Sequence, residues 1–130
     1  WIEITTLIIP NKNDSDDEIK KLSHWVLENL GENVPLHFSA FHPDFKMTDH
    51  PATPASTLIK ARTHAMEIGL KYVYIGNIYA DNKSNTYCPS CHTLLIKRNG
   101  YSINISDSLG KDSHGKSICV KCRFELNIVI

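Results

Sequence analysis

No stretch of the 130 residues stays apolar for the ~18 to 20 positions a helix needs to cross a bilayer, and no basic segment with a small-residue cleavage site opens the chain. A cytoplasmic protein with no membrane partner is expected. Charge of one sign is not in excess either: 14 Lys and Arg balance 14 Asp and Glu, with a pI near 7.2. A neutral molecule has no long-range field to gather nucleic acid, so such a partner is not expected from the whole molecule and would need a local patch. Ser-His-Asp order, a phosphate loop and His-Glu-x-x-His are all missing, which removes the common hydrolase and nucleotide-binding readings. Internal repeats and low-complexity tracts are absent too. With 42% hydrophobic residues, 130 positions build one ordinary core and a small appendage, not two large domains.

What is present reads first as alternating strands and helices. The β-branched "WIEITTLII" predicts a strand over 2–9 that ends at Pro10. The chain enters this strand directly at Trp1, and the expectation is of a C-terminal fragment with an upstream portion. Ser15 and Glu18 form a capping box, Asp16 and Asp17 oppose the helix dipole, and Ile19, Leu22, Trp25, Val26 and Leu30 recur at helical spacing up to Gly31. "VPLHFSAF" is a second strand. A second helix is expected with Thr53 as N-cap and Pro54 at its first position, carrying Leu58, Ala61, Ala65 and Ile68 inward as far as Gly69. "YVYIGNI" is the third strand, and the order βαβαβ implies parallel strands joined by right-handed crossovers. Glu3 and Thr5 share one face of the first strand, and His37 and Ser39 share one face of the second. Such a polar row marks either a wide, wet interior or groups that satisfy one another in a core. "ADNKSN", residues 80–85, reads as a polar linker, which divides the chain into 1–80 and 81–130.

The four cysteines all lie in the second part, as Cys88-x-x-Cys91 and Cys119-x-x-Cys122. Two residues between cysteines form a tight turn with both sulfurs on one side, and two such turns complete a tetrahedral thiolate site. Asn99-Gly100 between β-rich stretches predicts a hairpin after the first pair. The reading is a small β zinc ribbon with a closed, structural metal site, and a rubredoxin-like single iron is its rival because the sulfur geometry is shared. A thioredoxin-type pair would need a helix where the hairpin falls. His92 is a possible substitute ligand. Lys97, Arg98, Lys111, Lys116, Lys121 and Arg123, with Tyr87 and Tyr101 among them, keep an alternative open: an independent zinc-ribbon module that binds protein or nucleic acid.

In parallel α/β folds ligands bind beyond the carboxyl ends of strands. Asn11, Asn13, His42, Asp44, Lys46, Asn77 and Asn85 lie in the segments that follow the three strands and are expected to converge on one rim. His42 is placed to donate a hydrogen bond to a ligand, although an ordinary loop histidine reads the same. Asp44 and Lys46 read as an exposed ion pair, and His24 and His64 as surface residues of the helices.

"LIIPNKNDSDDEIKKLSHWV", "PLHFSAFHPDFKMTDHPATPASTLIKAR", "GLKYVYIGN" and "NTYCPSCHTLLIKRNGYSI" together resemble the C-terminal part of the AmmeMemoRadiSam system radical SAM enzymes, relatives of pyruvate formate-lyase activating enzymes. The resemblance runs nearly end to end. It implies an α/β fold, the C-terminal half of a partial (β/α)6 barrel followed by the ribbon. It also implies, for the full-length parent, a four-iron four-sulfur cluster that cleaves S-adenosylmethionine reductively to a 5′-deoxyadenosyl radical, which abstracts hydrogen from a substrate that is a polypeptide in the activating enzymes. His42 matches the family histidine that contacts S-adenosylmethionine. The implied partners are the missing N-terminal half of the barrel and a polypeptide substrate. Four positions depart from the family pattern: Asn11, His92 and Arg123 stand where glycine is usual, and Ala40 where arginine is expected. No Cys-x-x-x-Cys-x-x-Cys occurs, so this chain alone is expected to hold no cluster and to be inactive.

Overall fold

The computed structural model of the protein describes residues 1–78 and 82–129. The chain divides into two compact units, Trp1–Lys83 and Ser84–Ile130. The expected division at residue 80, and the first two residues of the expected linker, lie outside the described residues.

The first unit runs β1 (Ile4–Ile8), α1 (Asp16–Leu30), β2 (Leu36–Ala40), α2 (Ala55–Ile68) and β3 (Val73–Gly76). The three strands form a parallel sheet in the order β1-β2-β3, with Thr5 opposite His37 and His37 opposite Tyr74. Among the described residues β1 and β3 are its edges, so the sheet is open and no barrel closes. Alternation sends Leu36, Phe38, Ala40, Val73 and Ile75 to one face, where they form a single core with Ile19 and Val26 of α1 and Leu58, Ala61 and Ala65 of α2. Both helices therefore cover the same face. The other face carries Thr5 and Leu7, exposed, and His37, Ser39, Tyr74 and Gly76, half-buried. Here His37 Nε2 lies 3.0 Å from Glu3 Oε2, and its ring packs on Tyr74 with centroids 5.1 Å apart. The polar row thus lies on the face opposite the helices, where Glu3 and His37 pair with each other. Ala40 belongs to the buried face, so an arginine in its place would point at the helices.

The helix starts follow local chemistry. Ser15 caps α1: its hydroxyl accepts the Glu18 N–H at 3.3 Å and donates to the Glu18 carboxylate at 2.7 Å. Gly31 ends α1 at φ 91°, its N–H reaching the carbonyls of Val26 and Leu27. Trp25 is not an inward residue; it is 55% exposed, and Ser23 is buried instead, its hydroxyl donating to the Ile19 carbonyl at 2.7 Å. Small residues, Ser23 on α1 and Ala61 and Ala65 on α2, let two helices on one narrow sheet pack closely, and an indole does not fit there. The start of α2 also differs from expectation. Pro54 is the N-cap with no side-chain capping bond, and Ile68 is only half-buried. Thr53 is drawn away because its buried hydroxyl donates to the Ile8 carbonyl at 2.5 Å and accepts the Phe41 N–H at 2.9 Å, tying the ends of β1 and β2 together.

The second unit contains β4 (Thr86–Tyr87), β5 (Leu94–Asn99) and β6 (Ser102–Ile105) in one antiparallel sheet, and β7 (Leu109–Lys111) with β8 (Ser117–Cys119) in another. The hairpin turn sits one residue beyond the expected pair. Asn99 pairs with Ser102, so Gly100 and Tyr101 are the loop residues, and the positive φ (57°) falls on Gly100 alone, as in a type II′ turn with glycine first.

Candidate metal centre

Each cysteine pair is built into the same backbone ring. Cys88 donates its N–H to the Thr93 carbonyl at 2.9 Å, and its own carbonyl accepts the His92 N–H at 2.9 Å. Cys119 repeats this with Phe124 at 2.9 Å and Arg123 at 2.8 Å. Closing these rings puts His92 at φ 56° and Arg123 at φ 64°, the left-handed region that glycine fills at least cost. Both knuckles stay closed with a side chain in place, at a strain of ~1 to 2 kcal/mol each.

The two turns face each other and bring the sulfurs together. Cys88 Sγ is 3.6 Å from Cys122 Sγ and Cys91 Sγ is 3.7 Å from Cys119 Sγ, and all four sulfurs lie within 4.8 Å of one another. Disulfide sulfurs sit ~2.05 Å apart, so these are free thiols. A regular tetrahedron of sulfurs ~2.3 Å from a central zinc has edges of ~3.8 Å. The observed separations fit a single ion. They do not fit an iron cluster, whose thiolates bind separate iron atoms and must stand farther apart.

Burial and hydrogen bonding set the thiols apart. Cys88 and Cys119 are buried, Cys91 is half-buried and Cys122 is exposed. Burial pushes the Cys88 thiol up to about 12, so its ionisation needs a cation beside it. The hydrogen bond with the Thr93 side chain, 3.2 Å from the sulfur, together with the Thr93 backbone N–H, lowers Cys91 to about 6. Of these two, Cys91 ionises the more readily. Thr93 is the site residue that sequence reasoning missed, and nothing in the spacing marks a hydroxyl two positions after a cysteine as its partner.

Other bonds hold the frame. Buried Asn85 accepts the Arg98 N–H at 2.7 Å, and Arg98 Nη1 donates to the Ser84 carbonyl at 2.9 Å and to Thr86 Oγ1 at 2.7 Å. Asp112 shapes the loop between β7 and β8 by accepting the N–H groups of His114 and Lys116 at 2.8 and 2.9 Å. The four cysteines are the one group of possible metal ligands among the described residues, and His92 is not a member.

At the carboxyl ends of the parallel strands, the asparagines expected to meet a ligand serve the backbone. Asn13 accepts the Ile9 N–H at 2.7 Å and donates to the Leu7 carbonyl at 2.9 Å, while Asn77, at φ 57°, donates to the Ala40 carbonyl at 2.8 Å. Asn11, at φ 62°, gives its N–H to Asp14 at 2.8 Å. Asn85 belongs to the other unit. His42 is exposed in the loop after β2. Asp44 accepts the Phe45 N–H at 2.7 Å in place of an ion pair with Lys46, whose ammonium lies 5.3 Å from the Phe45 ring centre. Of the helix histidines, His24 is exposed, whereas His64 lies against α1, 3.5 Å from Asp16 and 3.6 Å from Glu67.

No helix among the described residues is long and apolar enough to cross a membrane. No family model matches the chain, and no solved structure matches it. Over its whole length it is 47% identical to the "Uncharacterized protein MJ0808" of Methanocaldococcus jannaschii, and it spans 38% of that relative's length.

Proposed function

We propose that the chain is the C-terminal portion of a cytoplasmic radical S-adenosylmethionine enzyme similar to pyruvate formate-lyase activating enzymes, with zinc held as a structural ion by Cys88, Cys91, Cys119 and Cys122. The observation that carries this reading is a parallel sheet with both of its helices on one face, and with the "FHPDFKMTDHPATP" loop leaving the carboxyl end of its central strand. Doubly wound sheets are covered on both faces, whereas in barrels the uncovered face is the interior. On this reading the upstream part of the parent supplies the remaining strands and the three thiolates of the cluster, and a polypeptide is the substrate. The cluster, when bound, would supply the electron that cleaves the sulfonium, and His42 of this chain, exposed in the loop after β2, would donate a hydrogen bond to the S-adenosylmethionine. The zinc site does no chemistry: four thiolates leave the ion no open position.

The test uses the product of the coding sequence extended upstream, loaded with iron and sulfide without oxygen and reduced with dithionite. Conversion of S-adenosylmethionine to 5′-deoxyadenosine, with a KM raised about tenfold in His42→Ala, is the expected result. An upstream sequence without Cys-x-x-x-Cys-x-x-Cys, or an extended protein with no iron-sulfur absorption, would sink the reading.

A further inference from the structure

We propose that the free edge of β6 is a docking site for an extended polypeptide segment of alternating apolar and acidic residues, which joins the β4-β5-β6 sheet as an added strand. This inference does not depend on the radical chemistry.

The register shows which backbone groups are available. Asn99 and Ser102 flank a two-residue turn and form a hydrogen-bonded pair, and Ser106 donates its N–H to the Leu95 carbonyl at 2.9 Å. The pairs between them alternate, so the N–H and C=O groups of Ile103 and Ile105 point away from β5. All four residues of β6 are exposed, Ile103 and Ile105 at 61% each. Edge strands are ordinarily protected by lysine, proline or a bulge, and "SINI" has neither residue, while the only register shift in this sheet lies between β4 and β5.

The chemistry of the occupant follows from the two faces. Ile103 and Ile105 share a face with Ile96, so an incoming strand needs apolar side chains there. On the opposite face Asn104 stands beside Lys97, which is exposed. Strands lie ~4.8 Å apart, so a glutamate on the added strand is ~10 Å from Lys97, a gap that two long side chains span. Residues 84–130 hold six Lys and Arg against three Asp and Glu. Glu125 and Lys116 pair with each other at 2.9 Å and Asp112 is engaged by its loop, so the cations remain in excess. A second copy of β6 brings no acid and sets two Lys97 side chains near each other. Nucleic acid is disfavoured because phosphates cannot donate to the outward carbonyls and β6 itself carries no cation.

The probe is the peptide acetyl-Val-Glu-Val-Glu-Val-Glu-Val-amide, titrated into the full 15N-labelled chain. Slower exchange of the Ile103 and Ile105 amides is expected, with binding weakened about tenfold when alternate peptide nitrogens are methylated, a control that leaves the protein unaltered. Ile103→Pro, which removes an outward N–H and no ladder bond, should weaken binding about tenfold. Lys97→Glu should reverse the preference toward the lysine counterpart of the peptide. Equal binding of that lysine peptide to the native chain overturns the proposal. So does a larger response of the same amides to a twelve-residue oligothymidylate, or protection that rises with protein concentration alone.

Discussion

Removing the metal from the four-cysteine group should unfold residues 84–130 and leave residues 1–83 folded. The second unit buries five aliphatic side chains, Leu95, Ile96, Leu109, Ile118 and Leu126, besides Cys88 and Cys119. At ~1.5 to 3 kcal/mol each they contribute ~7.5 to 15 kcal/mol, too little against an ordering cost of ~1 to 2 kcal/mol for every residue of the unit. A structural zinc contributes ~10 to 16 kcal/mol, as much as the whole stability of an ordinary domain at ~5 to 15 kcal/mol. Twelve buried residues form the core of the first unit, and no cysteine is among them. Cys119→Ser, or a chelator added to the native chain, should therefore collapse the amide spectrum of the second unit to unfolded positions. Trp1 and Trp25 both lie in residues 1–83, so tryptophan fluorescence follows the first unit alone during melting, and its midpoint should not move. Protected Leu95 and Ile96 amides in metal-free Cys119→Ser would refute the account.

Thr53→Val keeps the shape of the side chain but strips the Phe41 N–H and the Ile8 carbonyl of their buried partner, and should lower urea stability of the first unit by ~1 to 3 kcal/mol. The Lys60 ammonium, 2.7 Å from Asp16, holds that carboxyl below its usual range. A lowered folded value means the stabilisation is complete above the unfolded pKa of ~3.9 and is lost as pH falls through the folded value. Lys60→Met should accordingly flatten the acid limb of the stability profile below about pH 4. His92→Gly and Arg123→Gly should each stabilise the metal-loaded second unit by ~0.5 to 1 kcal/mol, the relieved strain outweighing the added chain entropy, whereas His92→Val should destabilise it; thermal melting reads both.

The parts of the fold legible in the sequence are those set by local chemistry. Ser15 and Glu18 define the start of α1, and Gly31 and Gly69 end the helices at positive φ. The cysteine spacing marked the metal group because two short turns leave the sulfurs few places to go. Tertiary demand decided the rest. Trp25 fits the helical period but not a seam between two close helices, so Ser23 takes the buried place. Thr53 reads as a helix cap, yet two strand ends compete for its hydroxyl and win. Asn13 and Asn77 are expected on a ligand-binding rim because they follow the carboxyl ends of strands, and only the folded backbone shows which carbonyls each must reach.

Three left-handed residues, Asn11, His92 and Arg123, show the same distinction between side chain and backbone. Glycine fills this region at least cost, and here they take φ of 62°, 56° and 64° without being glycine. In each case a backbone N–H has a fixed acceptor: Asp14 for Asn11, the Cys88 carbonyl for His92 and the Cys119 carbonyl for Arg123. The left-handed conformation is imposed by those bonds, and glycine is its cheapest occupant, not its cause. Asparagine tolerates the region well, so Asn11 carries little strain. His92 and Arg123 carry more, and a closed metal site tolerates it because ion binding contributes several-fold more, at ~10 to 16 kcal/mol, than the two strains cost together. A knuckle that is losing its metal has no such reserve, which is why the two glycine substitutions combined should slow the decay of the second unit's amide signals once a chelator is added.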